Sequence, residues 1–549
     1  MPKLKPKFLI PAIAAAVVVV GGIATYLYLK GGPSGGISDA AASAKLVPDD
    51  AMMATYIATD PAIWSKLEQF GTPEAQKLVA AGLKNLNENF SSDDSITYDK
   101  DLKPWVGGVM VAVLPPPAVQ PAQNKPQSSP EPNILMVVGI KDKVEALNFT
   151  TKLKQQKNVK IKEIQYKGQK IQETKGKGSP TYSTILNDRV LFSPSQNAVT
   201  QAIDTYKGEP SFLTKTGATQ VIGNNLNLEN TLAQVYVPDY SSLVKELIAT
   251  NPQAQQLPPQ TLEQLKQIKS VVAGIGVDDS GLRVKANTNL DAQRVKFQYE
   301  NTPGKVLSQV PQDTIALVSG GGISKWWTVF AEQAKDTPEL NVVLQQARGQ
   351  LQQLNIDLDK EVFGWMDGEF GIAAIPINEG LLKQIGFGGA FLFHTGDRQT
   401  AEATFDKLDN LAKGQSIKIA QKDIDGKKIT EWQIPGQGAL LAHGWLSDNT
   451  ALLAVGGSIA ETLAKKEFKP LNDSQSFQGI TRTLPQENGG YFYLDMTKAL
   501  PFVTRFSPQT PEATAILNSI RGIGVTATSP SDSLTQMEML LALKKNSEQ

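Results

Sequence analysis

The longest apolar run of the chain lies near its N-terminus, where Phe8 to Leu29 contains no charged residue. As a helix this run would extend roughly 33 Å at about 1.5 Å per residue, enough to cross a bilayer core. Residues 1–7 carry three lysines, and only Lys30 follows closely. We therefore predict a cytoplasmic N-terminus at 1–7 and a transmembrane anchor at 8–29. The alternative is a signal peptide cleaved near Ala42-Ser43-Ala44, although the run is long for one.

Residues 30–45 are rich in Gly, Ala and Ser, which predicts a flexible tether. The body that follows mixes two hydrophobic periods. MMATYIAT (52–59) and NILMVVGI (133–140) have the pattern of strands, and residues 142–156 have the pattern of an amphipathic helix. Hairpin signals are frequent and strand–helix–strand crossovers are few, so the predicted class is α+β with antiparallel sheet. A doubly wound parallel sheet is less consistent with this pattern.

The sequence of the body consists of two similar halves. Val47-Pro48-Asp49-Asp50 recurs as Val310-Pro311-Gln312-Asp313, and DKDLKPWVGG (99–108) recurs as DKEVFGWMDG (359–368). Further matches follow in the same order, at displacements between 263 and 252. They are YKGQKI (166–171) with IDGKKI (424–429), NDRVLF (187–192) with DNTALL (448–453), LAQVYV (232–237) with GGYFYL (489–494), and 268–277 with 520–529. We predict two tandem copies of one domain, 46–291 and 309–545, joined by a connector at 292–308.

One segment of copy 1 does not fit a folded domain. Residues 115–132 (PPPAVQPAQNKPQSSPEP) are dominated by proline and polar residues. This composition is typical of a disordered or polyproline-like loop, here placed between two predicted strands.

Composition narrows the function more than it defines it. The 549 residues include 54 basic and 54 acidic side chains, so no basic excess points to nucleic acid. The chain has no cysteine, which excludes disulfides, thiolate catalysis and zinc–thiolate sites.

The apolar N-terminus, the paired V-P-x-D segments and the D-K-x(5)-W-x-x-G signatures resemble a family of uncharacterised bacterial proteins, common in cyanobacteria. This family is described only as a domain of unknown function. The resemblance covers residues 46–545 and implies a bacterial membrane-anchored protein that faces the periplasm or the thylakoid lumen. It implies no catalytic residue.

Asp367 and Glu369 are the first candidates for chemistry, because in a strand this spacing would place both carboxylates on one face. They align with Gly107 and Val109 of copy 1, whereas the tryptophan and a glycine are shared, so we interpret the pair as scaffold. The two histidines, His394 and His443, show no metal-ligand spacing. The glycine clusters lack the full phosphate-binding patterns. We predict no catalytic residue, no metal and no cofactor.

Residues 141–178 carry 11 lysines against four acidic residues, whereas the matching 396–436 are balanced at seven each. The candidate interaction patch consists of Lys152, Lys157, Lys160 and Lys162. It would meet anionic lipid headgroups or an acidic protein, unless it is only a solvated face.

The sequence thus predicts a single-pass membrane protein with an extracytoplasmic body and a structural or interaction role. A module that binds a small or lipid-like ligand between the two copies is the alternative. A hydrolase that uses copy 2 residues is a weaker one.

Overall fold

The computed structural model describes residues 37–78, 98–116, 133–154, 160–175, 180–215, 226–250, 265–293, 298–335, 338–415, 417–506 and 509–546. The chain divides into two compact units. Unit 1 comprises Met1–Asp291 with Lys545–Gln549, and unit 2 comprises Ala292–Lys544.

Unit 1 is built on one antiparallel sheet. Its described strands are β1 (Met53–Ile57), β2 (Val106–Leu114), β3 (Asn133–Ile140), β4 (Lys160–Tyr166), β5 (Gln169–Lys175), β6 (Thr181–Leu186), β7 (Arg189–Ser193), β8 (Thr231–Val237), β9 (Ile268–Asp278) and β10 (Gly281–Leu290). Their order across the sheet is β4-β5-β6-β7-β3-β2-β1-β8-β9-β10. Every pairing is antiparallel, as the hairpin signals predict.

Unit 2 repeats this arrangement. Its described strands are β11 (Ala316–Gly321), β12 (Glu369–Pro376), β13 (Phe387–His394), β14 (Lys418–Ile424), β15 (Lys427–Ile434), β16 (Gly438–Ser447), β17 (Thr450–Val455), β18 (Tyr491–Asp495), β19 (Ile520–Ser531) and β20 (Leu534–Leu543). The order is β14-β15-β16-β17-β13-β12-β11-β18-β19-β20, again antiparallel throughout. Strand for strand, this is the order found in unit 1.

The register agrees as well as the order. Thr55 pairs with both Val111 and Val235 in unit 1, and Val318 pairs with both Ile372 and Phe492 in unit 2. When the equivalences are followed through all ten strands, the displacement between the units stays within 252 to 263 positions. This is the range that the sequence matches give.

Helices cover the sheets. In unit 1 the helices whose bounds are both described are α1 (Ile37–Ala44), α2 (Pro61–Ser65), α3 (Lys143–Lys154), α4 (Gln196–Tyr206) and α5 (Tyr240–Thr250). In unit 2 they are α6 (Ile323–Lys335), α7 (Pro338–Gln353), α8 (Arg398–Gly414), α9 (Gly457–Lys465), α10 (Gln475–Thr481), α11 (Met496–Phe506) and α12 (Pro511–Asn518). Several begin at a side-chain cap: Asp142 accepts from the backbone before α3, and Asp397 accepts from Thr400 at the start of α8.

Each unit has its main core on one face of the sheet. In unit 1, α4 buries Ala198, Val199 and Ile203 against that face. In unit 2, α9 does the same with Ile459 and Leu463. α4 follows the β6–β7 hairpin in the chain, and α9 follows the β16–β17 hairpin. Equivalent helices therefore cover equivalent sheet faces in the two units.

Each V-P-x-D segment holds the chain in place just before the first strand of its unit. The carbonyl of Val47 accepts a hydrogen bond from the Phe212 amide at 2.8 Å, and Val310 accepts one from Leu471 at 2.9 Å. All four side chains are fully buried. The proline that follows each valine lies opposite a second chain segment, Ser211 in unit 1 and Pro470 in unit 2.

The tryptophan signatures occupy equivalent places. Trp105 is 7% exposed and donates from Nε1 to the Asp101 carbonyl, and Trp365 is 3% exposed and donates to the Glu361 carbonyl. In both units a π-helical turn precedes the tryptophan, Tyr98–Leu102 and Leu358–Gly364. Trp105 packs on Phe149 of α3, and Trp365 packs on Phe405 of α8.

The predicted tether needs correction, and two other predictions concern residues that the structure does not describe. The last part of the predicted tether, residues 37–44, is the helix α1, because Ala40 and Ala44 are small enough to bury against the core of unit 1. The predicted anchor at 8–29 and most of the proline-rich segment at 115–132 lie outside the described residues. Within the described residues, no helix is both long and apolar enough to cross a membrane.

Candidate functional site

The acidic pair of the D-K-x(5)-W-x-x-G signature does not share a strand. β12 begins at Glu369, and Asp367 precedes it outside the strand, so the two carboxylates do not line one strand face. Asp367 is exposed and accepts a hydrogen bond from the Gly396 amide at 3.2 Å. The condition for a shared face, a strand that includes both residues, is therefore not met, because the chain enters the sheet two residues later.

Glu369 is buried and serves the backbone. Its two oxygens accept hydrogen bonds from the amides of Lys305, at 2.9 Å, and of Val306, at 3.3 Å. These amides open the 3₁₀ turn Lys305–Ser308, and free amides at such a start need acceptors. Burial raises the pKa of Glu369, and the two amides and the Lys305 charge oppose that shift. The carboxylate thereby ties the connector to the sheet of unit 2.

The glycine next to this pair is required by a close approach. A Cβ on Gly368 would lie 2.5 Å from the carbonyl oxygen of His394, which only glycine avoids. In unit 1 the corresponding contact is made by Gly107 against Gly139. A bulge between Val106 and Val109 shifts the alignment by one residue, so Glu369 corresponds to Gly108 and not to Val109. The carboxylate remains unshared between the units.

His394 faces an amide side chain. Its Nε2 lies 3.1 Å from Oε1 of Gln309, and the ring is buried. Burial lowers the pKa of His394, and the nearby Lys305 charge adds to this, so the ring favours its neutral form. A neutral imidazole that donates to a glutamine has no part in proton transfer unless another reacting group adjoins it.

His443 belongs to a buried network that sequence reasoning did not find. Its Nε2 lies 2.8 Å from Oδ1 of Asp409 on α8, and Trp432 of β15 donates to the same oxygen at 2.6 Å. The imidazole stacks on Phe405 with ring centroids 4.6 Å apart. Burial raises the pKa of Asp409, but the hydrogen bonds from His443 and Trp432 outweigh it, and the pKa is lowered.

This network resembles half of a catalytic triad, and its surroundings decide against that use. A histidine oriented by a carboxylate acts on a nucleophile and a substrate that reach its other nitrogen. Here the ring is buried between Phe405 and the strands, and α8 covers it. The network fastens α8 to β15 and β16.

A second pair of buried carboxylates was not predicted from the sequence. Glu173 of β5 and Glu431 of β15 occupy matching positions and are both buried. Each makes an ion pair within its own hairpin, Glu173 with Lys175 at 2.8 Å and Glu431 with Lys422 at 2.7 Å. Their shared position in strands of lysine-rich hairpins was the only signal that could have identified them.

The candidate interaction patch is only partly brought together. Lys160 and Lys162 are exposed on one face of β4, which pairs with β5 and with no other described strand. Lys152 lies on α3 and makes an ion pair with Asp101 at 2.6 Å. Lys157 lies outside the described residues.

The positive charges of this hairpin are concentrated where β4 begins and β5 ends. Lys160 pairs directly with Lys175 of β5 across the hairpin, and like charges in that position repel each other. In unit 2 the matching pair is Lys418 with Gln433, and Ala420 takes the place of Lys162. The basic strand edge, defined here as Lys160, Lys162 and Lys175, is thus a property of unit 1.

Metal binding finds no support in the described part of the chain, where no three His, Asp or Glu side chains converge. The recurrent G-I-G-V glycines serve packing, since a Cβ on Gly276 of β9 would lie 2.3 Å from the Glu229 carbonyl.

Comparison with known proteins identifies the family. Residues 12–543 match the family described as "Protein of unknown function (DUF3352)". The chain belongs to this family. The resemblance stated from the motifs, to a domain of unknown function, is thereby confirmed.

Other comparisons add little. No curated protein matches the chain. Among solved structures, crystal forms III and I of a protein named TP0453 are similar to it, at 9% and 10% identity. They cover 46% and 50% of this chain and 82% and 86% of their own, with TM-scores of 0.26 and 0.25.

Proposed function

We propose that this family member is a non-catalytic, single-pass membrane protein whose body lies outside the cytoplasm, in a bacterial periplasm or thylakoid lumen. Support for the anchor is the uncharged run from Phe8 to Leu29 behind three lysines. Support for a non-catalytic role is that Glu369, His394 and His443 each satisfy a structural partner.

The two units are proposed to derive from one ancestral α+β domain by tandem duplication. The identical strand order, the matching registers and the equivalent Trp105 and Trp365 contacts support this. Duplication frees one copy to acquire a surface that the other lacks. The basic strand edge is such a surface.

The function proposed for the basic strand edge is contact with an anionic membrane surface. The observation that carries it is the position of Lys160 and Lys162, both exposed on β4 at the edge of the described sheet, with Lys160 paired directly with Lys175 of β5. The Glu173 carboxylate neutralises one of these three lysine charges through its ion pair with Lys175, and negative headgroups would neutralise the remaining two. Each lysine near an anionic surface contributes about 1 kcal/mol.

The test is vesicle capture. The full-length chain is reconstituted in particles of neutral phosphatidylcholine, and the capture of fluorescent vesicles that contain phosphatidylglycerol is measured. We expect capture that weakens as salt rises, because exposed charges are screened over about 10 Å at 0.1 M. Lys160→Glu with Lys162→Glu should abolish it.

The matched control is Lys418→Glu with Lys428→Glu, which reverses two exposed lysines on the corresponding hairpin of unit 2. It should leave capture unchanged. Lys152 is avoided because its reversal would also break the ion pair with Asp101. Equal capture of neutral and anionic vesicles would contradict the proposal.

A further inference from the structure

The sheet of unit 2 has a second face, opposite its main core, and the middle of that face is bare. Val318, Ile372 and Phe492 are 42%, 37% and 40% exposed, which is high for apolar side chains in interior strands of a sheet. Val318 of β11 pairs directly with Ile372 of β12 on one side and with Phe492 of β18 on the other.

The row continues on both sides. Phe492 pairs with Val525 of β19, and Ile372 pairs with Phe391 of β13. Paired residues point to the same face of a sheet, so the five side chains form one apolar row across five strands. Four strand spacings give the row a length of about 19 Å. We call this row the apolar slot.

Helices close the slot on its long sides. At one end of the strands, Phe370 packs into the cluster of Trp365 and Phe405 below α8. At the other end, Ala374 packs into the cluster of Met496 and Ala499 on α11. Ile372 lies midway between these two contacts.

The spacing of these contacts limits the width of the slot. Phe370 and Ala374 are four residues apart on β12, about 13 Å at strand rise. Because the clusters cover both residues, the uncovered strip between them is narrower than this distance of about 13 Å, so it admits a single extended chain but not a broad protein surface. Phe391, half covered by the α8 cluster, closes one end.

The chemistry of the slot selects among extended chains. A peptide strand would bring its amides and carbonyls onto a sheet face whose own backbone groups are already paired with neighbouring strands. Those peptide groups would lose water without gaining partners, which is costly. A hydrocarbon chain has no such groups.

Length and width also discriminate between hydrocarbon ligands. The slot, about 19 Å long, can hold an acyl chain of the roughly 15 Å that spans one leaflet, half of a 30 Å bilayer core. A lipid with two acyl chains would leave the second one in water. A second copy of this chain would present a broad surface that cannot enter between the helix clusters.

From these observations we infer that the apolar slot of unit 2 binds the alkyl chain of a free long-chain fatty acid. Val318, Ile372 and Phe492 form its floor. This site lies within unit 2 and does not depend on the role proposed for the basic strand edge.

The test uses the full-length chain in membranes and a palmitate analogue that carries a diazirine and an alkyne. After irradiation the chain is digested, and labelled peptides are mapped by mass spectrometry. We expect label in the body to concentrate on peptides with Val318, Ile372 and Phe492. Excess palmitate should remove it, whereas excess phosphatidylcholine should not.

The variant pair Val318→Glu and Ile372→Glu places charge in the slot at exposed positions and should reduce labelling at least about tenfold. The control, Ile185→Glu, alters a strand isoleucine of unit 1 that is also exposed, and it should have no effect. Label spread over exposed apolar residues in general would overturn the inference. So would label that phosphatidylcholine removes, or a crosslink between two chains at the slot. Mapping of the unaltered chain decides the matter even if the variants fold poorly.

Discussion

Glu369 and Lys305 are 64 residues apart in the chain, yet the Glu369 carboxylate accepts the Lys305 amide at 2.9 Å. This contact gives Glu369 a structural role in unit 2. It holds the start of a 3₁₀ turn, and through it the connector, against β12.

The first prediction concerns this contact. Glu369→Gln should lower the free energy of unfolding by about 1–3 kcal/mol, because the amide side chain can accept only one of the two backbone hydrogen bonds. Asp367→Asn, at the exposed neighbour, should change it by no more than about 0.5 kcal/mol. Urea unfolding of both variants checks this, and equal losses would contradict the assignment.

The second prediction concerns the two tryptophans. Trp105→Ala and Trp365→Ala should each cost about 3–5 kcal/mol, the usual range for truncation of a buried large aromatic. Trp445→Ala should cost less, because its ring is only half buried and is covered by Arg398. Thermal and chemical unfolding measure the difference. A small loss at one member of the pair would argue against equivalent places in the two units.

The third prediction concerns pH and the Asp409 network. The pKa of Asp409 is lowered in the folded protein from its usual value near 3.8. A depressed pKa contributes stability that is present above about 3.8 and is lost as the pH falls through the folded value. Asp409→Asn should therefore be less stable than the natural chain at neutral pH, and the gap should close in strong acid.

The control for this network is Asp406→Asn, an exposed carboxylate on the same helix. Its stability at neutral pH should differ from that of the natural chain by no more than about 0.5 kcal/mol. If Asp409→Asn showed a constant difference down to the most acidic pH, the ionised carboxylate would not be the stabilising group.

Local patterns predicted much of the fold. NILMVVGI (133–140) is strand β3 with the predicted bounds, and the helix expected at 142–156 is observed over Lys143–Lys154. The matches between the two halves anticipated equivalent strands because hairpins and their turns are encoded within a few residues. An alternating or amphipathic pattern needs no distant partner to be recognised.

Contacts between distant residues could not be predicted in this way. His443 meets Asp409 across 34 residues, and Glu369 meets Lys305 across 64. The apolar slot depends on the pairing of Val318 with both Ile372 and Phe492, and a single sequence does not state which strands are neighbours. A run such as TIALVSG indicates a strand but not which of its faces stays open.

The anchored, extracytoplasmic placement is the central claim, and protease accessibility tests it most directly. Protease is added to intact spheroplasts that express the full-length chain tagged before Met1 and after Gln549. We expect digestion of the body, loss of the C-terminal tag and protection of a fragment that contains residues 1–7. A protected body, or a soluble product that begins near Lys45, would contradict it.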